Sequence, residues 1–224
     1  MIPCVSIENM RQSDAYTIAN LVPSLKLMYR AAMGVFKTHN WNGSTAIVVG
    51  SGNNGGDGFA LACILKEQGV ACTVFTLSPK LSPDSAYYAA QCQKVGVSVC
   101  PFEEGCLSGH SIVVDCLLGT GFSGTVRGNY RDAIEAINRT NAFIISVDIN
   151  SGMNGDTGEA EVAVRSDLTV TIGYVKNGLV AENASYYMKR LVCADIGIVL
   201  VREERFITEE DCPPWLDRNV ILSL

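Results

Sequence analysis

From Thr45 onward, short apolar runs rich in β-branched residues alternate with stretches of helical periodicity. The runs are AIVVG, ACTVFTL, VSVC, SIVVDCLLG, AFIISVDI and DLTVTIG, and the helical stretches include one led by glycines to about Gln68, one after Pro83 and one over 129–139. Segments such as IVV and FIISV are continuously apolar, as expected for strands buried on both faces of a sheet. The alternation predicts an α/β fold, in which helices cover both faces of a mostly parallel sheet.

The first forty residues lack this alternation and form an N-terminal helical segment in our prediction. Two helices are expected, at roughly 6–20 and 24–38, because Pro23 separates them and suits a turn or a first helical position. No internal repeat, low-complexity stretch or linker interrupts the 224 residues. We therefore expect residues 1–224 to form a single domain with a sizeable core.

The charge of the chain and the length of its apolar stretches disfavour two classes of partner, nucleic acid and membrane. A net charge of −6 and no basic run argue against nucleic acid, whose phosphates require clustered Lys and Arg. No apolar stretch is long enough to span a membrane, and the amino terminus lacks the pattern of a signal peptide, so we expect a cytoplasmic protein.

The nine cysteines contain no C-x-x-C pair and are interpreted as small buried hydrophobes in a reducing compartment, in preference to a zinc or disulfide framework.

Three unusual loops follow three predicted strands, at the edge where ligands bind in open α/β sheets. In the first, Gly50, Gly52 and Gly55 match the spacing G-x-G-x-x-G, and the loop to Gly58 also carries polar side chains at Asn53, Asn54 and Asp57. Glycines permit positive φ and let backbone N–H groups approach an anion at a helix start, so phosphate is the expected guest. A tight strand-to-helix turn is the simpler alternative.

The second loop follows Asp115 and runs from Gly119 to Thr125, and the third runs from Asp148 to Gly158. Each Asp stands at the carboxyl end of a predicted strand. Taken alone, each Asp is also consistent with the simpler role of capping a turn, as Asp side chains commonly do. Because three such loops leave neighbouring strands, we expect them to meet in one shared ligand site.

A dinucleotide-dependent dehydrogenase is one interpretation of the first loop. That class places an acidic residue at the end of the second strand to bind ribose, whereas the corresponding run here is Val-Phe-Thr-Leu-Ser and offers none. Oxygen-bearing side chains at Asn54, Asp115 and Ser151 suit a hard monovalent or divalent cation beside a phosphate. His39 and His110 lie outside the loops and are interpreted as structural or surface residues.

In combination, the loop motifs resemble the NAD(P)H-hydrate epimerase family, the YjeF N-terminal domain. They are N-N-G-G-D-G from Asn53, D-x-x-x-G-T-G from Asp115 and D-I-x-S-G-x-x-x-D-T-G from Asp148, and the likeness continues past Lys176 to Ile198. The resemblance implies a Rossmann-like three-layer α/β/α sandwich. It also implies an enzyme that interconverts the R and S hydrates of NADH and NADPH (NADHX and NADPHX), a step of nicotinamide nucleotide repair.

The resemblance also assigns site residues. Potassium, one ion per subunit, would be held by Asn54, Asp115 and Ser151. The substrate NADHX or NADPHX would be held by Asn53, Asn54, Gly55, Gly56, Asp57, Gly119, Thr120, Gly121, Phe122, Ser123, Gly124, Thr125 and Asp148.

The sequence departs from the family pattern at three positions. Asn150 and Asn177 replace prolines, which we expect to reduce loop rigidity without removing a ligand group. Tyr29 replaces a glutamate in the helical motif L-M-E-R-A-G, which puts in doubt a role of that helix in closing the site or pairing subunits. Lys176 could meet a phosphate or be a solvated lysine at a strand end. Because the chain ends at Leu224, near where fused members continue, we expect no dehydratase activity and a functional link to a separate NAD(P)H-hydrate dehydratase.

The chemistry requires a proton donor and acceptor. The hydrate carries a hydroxyl group on C6, and inversion there is expected to proceed by its loss to an iminium ion and the return of water to the other face. Asp115 or Asp148 would act as the acid and base, with Asp115 as the first choice. A non-catalytic nucleotide-binding scaffold and an NAD(P)-dependent oxidoreductase remain alternatives, although the retained polar groups favour catalysis. The sequence leaves open whether the protein forms a homodimer and which hydrate it prefers.

Overall fold

The computed structural model of the protein describes residues 1–223 and contains five α-helices and eleven strands over that range. The helices are α1 (Ile7–Asn20), α2 (Ser24–Lys37), α3 (Asn53–Glu67), α4 (Pro83–Val95) and α5 (Asn129–Asn138). The strands are β1 (Ile2–Val5), β2 (Thr45–Val49), β3 (Cys72–Thr76), β4 (Ser98–Pro101), β5 (Ile112–Cys116), β6 (Phe143–Val147), β7 (Leu168–Ile172), β8 (Val175–Lys176), β9 (Leu191–Asp195), β10 (Arg205–Ile207) and β11 (Leu216–Ser223). Two short 3₁₀ helices follow β8, at Asn177–Val180 and Glu182–Tyr186.

Eight strands form one parallel sheet in the order β11-β9-β7-β6-β5-β2-β3-β4. The chain leaves β2 toward β3 and β4, then crosses back to place β5 on the opposite side of β2. This reversal creates a crevice between the carboxyl ends of β2 and β5, the position at which open α/β sheets bind ligands. The predicted α/β/α architecture with a mostly parallel sheet is confirmed.

Helices and loops cover the two faces of the sheet. Alternate residues of the central strands pack with α2, α3 and α4 on one face, and the remaining residues pack with α5 on the other. Beyond α5, the second face is covered by a separate apolar cluster that includes the three-stranded sheet β10-β1-β8. The central strands β2, β5 and β7 are buried along their whole length, which explains their continuously apolar sequences.

Helix α1 is held against the site by polar groups. Its side chains of Asn9, Ser13 and Thr17 are buried and form hydrogen bonds with the backbone of the segment at 199–202. Thr17 Oγ1 accepts from the Val199 N–H at 3.0 Å, and Ser13 Oγ accepts from the Val201 N–H at 3.1 Å. The helix is thus positioned by hydrogen bonds to backbone more than by an apolar stripe.

The structure confirms the predicted N-terminal helices and central strands to within a few residues and adds elements the sequence did not reveal. These are the small sheet of β1, β8 and β10, and the two strands β9 and β11 at one edge of the main sheet. The first glycine-rich loop is shorter than predicted, since α3 begins at Asn53 and Asn53–Gly58 are helical. Within residues 1–223, no helix is long and apolar enough to cross a membrane.

Candidate functional site

A cavity of about 620 Å³ opens at the crevice between β2 and β5. Its floor is formed by the chain leaving these strands and by the amino end of α3, and its walls come from α1, α2 and the loop after β5. Its lining combines polar and charged side chains with the apolar side chains of Met10, Leu27, Met28, Ala31, Ile172 and Ile196. The cavity thus offers both an apolar surface and several ionisable groups.

The glycines of the first segment permit close packing. A Cβ on Gly50 would overlap the Leu117 carbonyl group, and one on Gly55 would overlap the Gly50 carbonyl group. None of the glycines from Gly50 to Gly58 has a positive φ, so these positions use the close approach that glycine permits and not its left-handed conformation. Because the backbone of β2 can lie directly against the loop after β5, the amino end of α3 reaches the crevice.

The amino terminus of α3 lacks a side-chain cap and an acidic residue in its first turn. Its N-cap residue, Gly52, is exposed, and a Cβ placed there would meet nothing within 4 Å. The first N–H groups of a helix have no partner within the helix and carry partial positive charge. This end of α3, which lines the cavity, can therefore accept an anionic group.

Asp115 lies beneath the cavity and does not line it. Its carboxylate is fully buried and accepts four hydrogen bonds, from the Ser151 hydroxyl at 2.5 Å, the Ser146 hydroxyl at 2.9 Å and the N–H groups of Ser151 and Leu117 at 3.0 and 3.2 Å. Burial raises the pKa of Asp115, and these hydrogen bonds oppose the increase. The arrangement ties β5 to the loop after β6.

Asp148 lines the cavity and is paired with Lys176. The Lys176 ammonium group is fully buried, donates to Asp148 Oδ1 at 2.5 Å, and also donates to Thr171 Oγ1 and the Ile172 carbonyl oxygen at 3.0 and 2.7 Å. The second Asp148 oxygen accepts from the Thr120 N–H at 3.2 Å. Lys176 is therefore not a solvated lysine, because its side chain is buried and its charge is paired with Asp148.

The backbone of Asp148 is unusual. It is the one non-glycine residue with positive φ in the described chain, at 70°. A left-handed conformation is disfavoured for most residues but is tolerated by Asp and Asn. Here it turns the carboxylate toward Lys176 and the cavity instead of along the strand, and strain of this kind is concentrated at functional sites.

Asp57 and Asp14 place two further carboxyl groups in the cavity. Burial raises the pKa of Asp57 well above its ordinary value, and the negative charge of Asp148 raises it further. Burial and Asp148 raise the pKa of Asp14 in the same way. No hydrogen-bond partner of the Asp57 side chain occurs among the described residues, which leaves this carboxyl group available to a ligand. The cavity therefore combines Asp148, paired with a lysine, and Asp57, whose neutral form is favoured.

Asn54 carries a buried oxygen atom without a partner. Its Nδ2 donates to the Leu118 carbonyl oxygen at 3.0 Å, whereas Oδ1 has no hydrogen-bond partner in the described structure. Leu118 O and Ser151 Oγ lie beside each other at 3.2 Å, and Ser151 bonds Asp115. Amide, carbonyl and hydroxyl oxygens of this kind are ligands that hard cations accept. Among residues 1–223, no group of three or more His, Cys, Asp or Glu side chains could hold a metal ion.

The loop after β5 borders two cavities. Gly119, Thr120, Gly121, Phe122 and Ser123 line the main cavity. Phe122 and Ser123 also line an adjoining groove of about 270 Å³, which continues past Gly124 and Thr125 toward Glu159–Val162. The Arg11 guanidinium group of α1 donates to the Thr120 carbonyl oxygen at 2.7 Å and so joins the loop to the opposite wall. The two cavities together form an elongated binding surface.

The structure therefore brings together most, but not all, of the predicted site residues. Gly55 and Gly56 are buried inside α3, Asp115 and Ser151 lie behind the cavity, and Gly124 and Thr125 lie in the adjoining groove. His39 and His110 line neither. Residues that the sequence prediction missed include Arg11, Asp14, Leu27, Met28, Asp84, Tyr130 and Ile196.

The replacement of a family proline by Asn150 does not leave the third loop unsupported. Asn150 is fully buried, and its Nδ2 donates to Val164 O, Ser166 Oγ and Tyr187 O at 2.8–3.0 Å. Its Oδ1 accepts from the Thr169 hydroxyl at 2.6 Å. These hydrogen bonds connect the third loop to neighbouring segments at the position where the family pattern has a proline ring. Tyr29 of α2 is another departure from the family pattern. Its side chain is 43% exposed and does not line the cavity.

Comparisons with known proteins show the family of the chain. Residues 24–178 match the family model described as YjeF-related protein N-terminus. The chain is 38% identical over 209 residues to the NAD(P)H-hydrate epimerase of Limosilactobacillus reuteri, which covers 88% of this chain and 97% of that protein. The epimerase of Limosilactobacillus fermentum is 35% identical over 199 residues, covering 85% and 95%. A bifunctional NAD(P)H-hydrate repair enzyme of Coxiella burnetii is 34% identical over 84% of this chain and 40% of its own length.

A solved structure supports the fold. The crystal structure of the yeast protein ynu0 (YNL200c) superposes with a TM-score of 0.73, covering 93% of this chain and 91% of the yeast chain at 20% sequence identity. At this level of identity, the likeness concerns the arrangement of helices and strands. It agrees with the eight-stranded parallel sheet and the crevice at its strand reversal.

Proposed function

Because this chain belongs to the family of the YjeF-related protein N-terminus, we propose that it is an NAD(P)H-hydrate epimerase, an isomerase acting on hydrated NADH and NADPH. The observation that carries the proposal is the pairing of Asp57 and Asp148 in one cavity, where each faces a different electrostatic environment. Two carboxyl groups in different environments, one whose neutral form burial favours and one paired with a lysine, can serve as an acid and base pair.

Epimerisation at C6 needs both partners. Asp57, in its neutral form, donates its proton to the C6 hydroxyl group; the C6–O bond breaks, water leaves, and the N1 lone pair forms the double bond of the iminium ion. Asp148, as a carboxylate, accepts a proton from the water that then adds to the other face of C6. The two residues exchange these roles in the reverse direction, so each hydrate can be converted into the other.

Asp115 receives a different role from the one the sequence suggested. Its four hydrogen bonds occupy the carboxylate, and it does not line the cavity. We assign it to positioning Ser151 and the floor of the site. This transfers the acid and base functions to Asp57 and Asp148.

The amino end of α3 and the loop Gly119–Ser123 are the proposed binding surface for the substrate's pyrophosphate. Free N–H groups and the helix dipole favour an anion there, which offsets the negative charge of the neighbouring carboxylates. The apolar side chains of Leu27 and Met28 provide a surface for the hydrated ring. Repair of both NADHX and NADPHX remains within this proposal.

A potassium ion is the proposed metal, held by Asn54 Oδ1 together with the oxygen atoms around Leu118 and Ser151. The unpartnered buried oxygen of Asn54 supports this assignment, since a buried polar atom without a partner is costly and a cation satisfies it. When bound, the ion supplies positive charge beside the pyrophosphate. The Coxiella relative is a bifunctional NAD(P)H-hydrate repair enzyme, which supports a link to a second repair activity, for which we propose a separate dehydratase.

Site variants test these roles. Asp57→Asn and Asp148→Asn are each expected to reduce the rate of hydrate interconversion by a factor of about 10²–10⁴, the usual contribution of a general acid or base. Asp84→Asn is the matched control, because Asp84 lines the same cavity and has no assigned role in proton transfer. Full activity of Asp57→Asn with loss in Asp84→Asn would overturn the assignment.

A further inference from the structure

Helices α3 and α4 lie side by side and run in the same direction, with facing residues separated by 29 positions. The pairs are Asn53 with Ser82, Gly56 with Ser85, and Cys63 with Cys92. A Cβ on Gly56 would lie 2.8 Å from Ser85 Oγ, so the missing side chain lets the two helices approach closely. Toward the carboxyl ends of the two helices, the same contact places Cys63 next to Cys92.

The two thiols are already in contact. Cys63 Sγ and Cys92 Sγ lie 3.5 Å apart, so the two side chains meet at their sulfur atoms. A disulfide has a sulfur–sulfur length of about 2.05 Å, so the sulfur atoms would have to move together by about 1.5 Å. Small rotations of side chains and helices can supply this movement, whereas cysteines facing apart cannot be joined without displacing the backbone.

We propose that Cys63 and Cys92 form a reversible intrachain disulfide when the protein meets a peroxide. Cys63 is the attacking residue, because it retains 8% exposure whereas Cys92 is fully buried. The hydrogen bond between the thiols lowers the pKa of Cys63 and, together with burial, raises that of Cys92. Both the exposure and the direction of the pKa shift favour Cys63 over Cys92 as the thiol that reacts first.

The reaction balances with hydrogen peroxide as the oxidant. The Cys63 thiolate attacks one peroxide oxygen, the O–O bond breaks, and a sulfenic acid and hydroxide form. Cys92 sulfur then attacks Cys63 sulfur, the S–O bond breaks, and the departing hydroxide takes the Cys92 proton. In total, two thiols and one peroxide give a disulfide and two waters, and a dithiol reductant reverses the bond.

The position of the pair connects it to the functional site. Two to three turns before the cysteines, the same helix contact carries Ser82 Oγ bonded to Asn53 Oδ1 at 2.6 Å and Ser85 Oγ bonded to the Gly52 carbonyl oxygen at 2.7 Å. The disulfide would therefore join the two helices whose amino ends shape the floor of the cavity. It would stabilise this part of the fold against unfolding.

Peptide mass spectrometry tests the proposal directly, because trypsin separates the cysteines concerned. Cys63, Cys72 and Cys92 fall in three different peptides, 38–66, 67–80 and 81–94, each with a single cysteine. After hydrogen peroxide treatment and blocking of free thiols, we expect peptides 38–66 and 81–94 to be joined, with a mass two hydrogens below their sum. Linkage of either peptide to 67–80, or oxidation of Cys63 to sulfinic acid without linkage, would overturn the proposal.

The melting temperature gives a second measurement. Closing a loop of this length is expected to raise it by roughly 5–10 °C, and dithiothreitol should reverse the increase. Cys63→Ala and Cys92→Ala should each abolish the increase, whereas the matched control Cys72→Ala, on the neighbouring strand, should retain it. An increase that persists in both Cys63→Ala and Cys92→Ala would contradict the assignment.

Discussion

The buried ion pair between Asp148 and Lys176 gives the sharpest test of how the site is built. The Lys176 ammonium group is fully buried, and its one anionic contact in the described structure is Asp148 at 2.5 Å. Asp148→Asn leaves that charge buried without a counter-ion, which is expected to cost about 3–5 kcal/mol. Asn accepts the positive φ of this position, so little backbone strain is added. For a protein of this size, the expected decrease in melting temperature is roughly 6–20 °C.

A double-mutant cycle separates this effect from ordinary mutational damage. Lys176→Met should be similarly destabilising, since it leaves the buried Asp148 carboxylate unpaired, whereas the double variant should cost far less than the sum of the two. Lys189→Met is the matched control: Lys189 contacts Asp167 at a similar 2.6 Å, but its side chain is 79% exposed. We expect no measurable change there, because exposed ion pairs contribute little.

Thermal unfolding of the four proteins and the control, followed by circular dichroism, provides the measurement. Single variants that melt within 1–2 °C of the parent protein, with additive effects in the double variant, would refute the reasoning. A Lys189→Met decrease as large as that of Lys176→Met would refute it as well, because burial would then have no influence on the energy of the pair.

Three other perturbations test separate parts of the site. Burial raises the pKa of Asp57 in the folded protein above its value near 4 in the unfolded chain, so the stability that the protonated group gives at low pH is lost as the pH rises through the folded pKa. Asp57→Asn should therefore have the melting temperature of the parent protein at pH 3.5 and a higher one at pH 8. An equal difference in melting temperature at both pH values would contradict this. Potassium chloride should raise the melting temperature of the parent protein relative to lithium chloride, but not that of Asn54→Leu, which lacks the unpartnered oxygen. The same increase in the parent protein and in the variant would exclude that oxygen as a ligand. Gly58→Ala should cost about 1–3 kcal/mol in urea unfolding, because its Cβ would lie 2.8 Å from Val49 Cγ1 and 2.9 Å from Cys116 Cβ, and unchanged stability would show that the contact relaxes.

The central sheet was predictable because its strands are buried on both faces. Continuous apolar runs such as IVV in β5 have few other structures available in an α/β chain. The small sheet was not predictable in the same way. Its strands β1, β8 and β10 are four, two and three residues long and pair across distant parts of the chain, so neither length nor local pattern reveals them.

The sequence located the site at the strand ends but could not distinguish the roles of two aspartates. Asp115 lies within β5 and pairs with Ser146 of β6, where neighbouring groups enclose its carboxylate. Asp148 lies one residue beyond the end of β6, where a left-handed backbone turns it into the cavity. That difference depends on one residue at a strand end and on a backbone angle, and no residue pattern encodes either.

Asp14 was missed for another physical reason. Helix α1 buries Asn9, Ser13 and Thr17, which bond backbone groups of residues 199–202, so its inward face is polar and resembles a solvent-facing one in sequence. Recurrence of small polar residues at positions 9, 13 and 17 is the signal that was present. It gains meaning only when a segment whose backbone N–H groups these side chains accept lies against the helix.

Interconversion of separated R and S hydrates of NADH, followed by chromatography in potassium and in lithium salts, tests the central claim most directly. We predict acceleration well above the spontaneous rate in both directions, and a faster rate with potassium. No acceleration in either salt, with the hydrate or NAD(P) still bound, would contradict the epimerase assignment and indicate a nucleotide-binding scaffold on this fold.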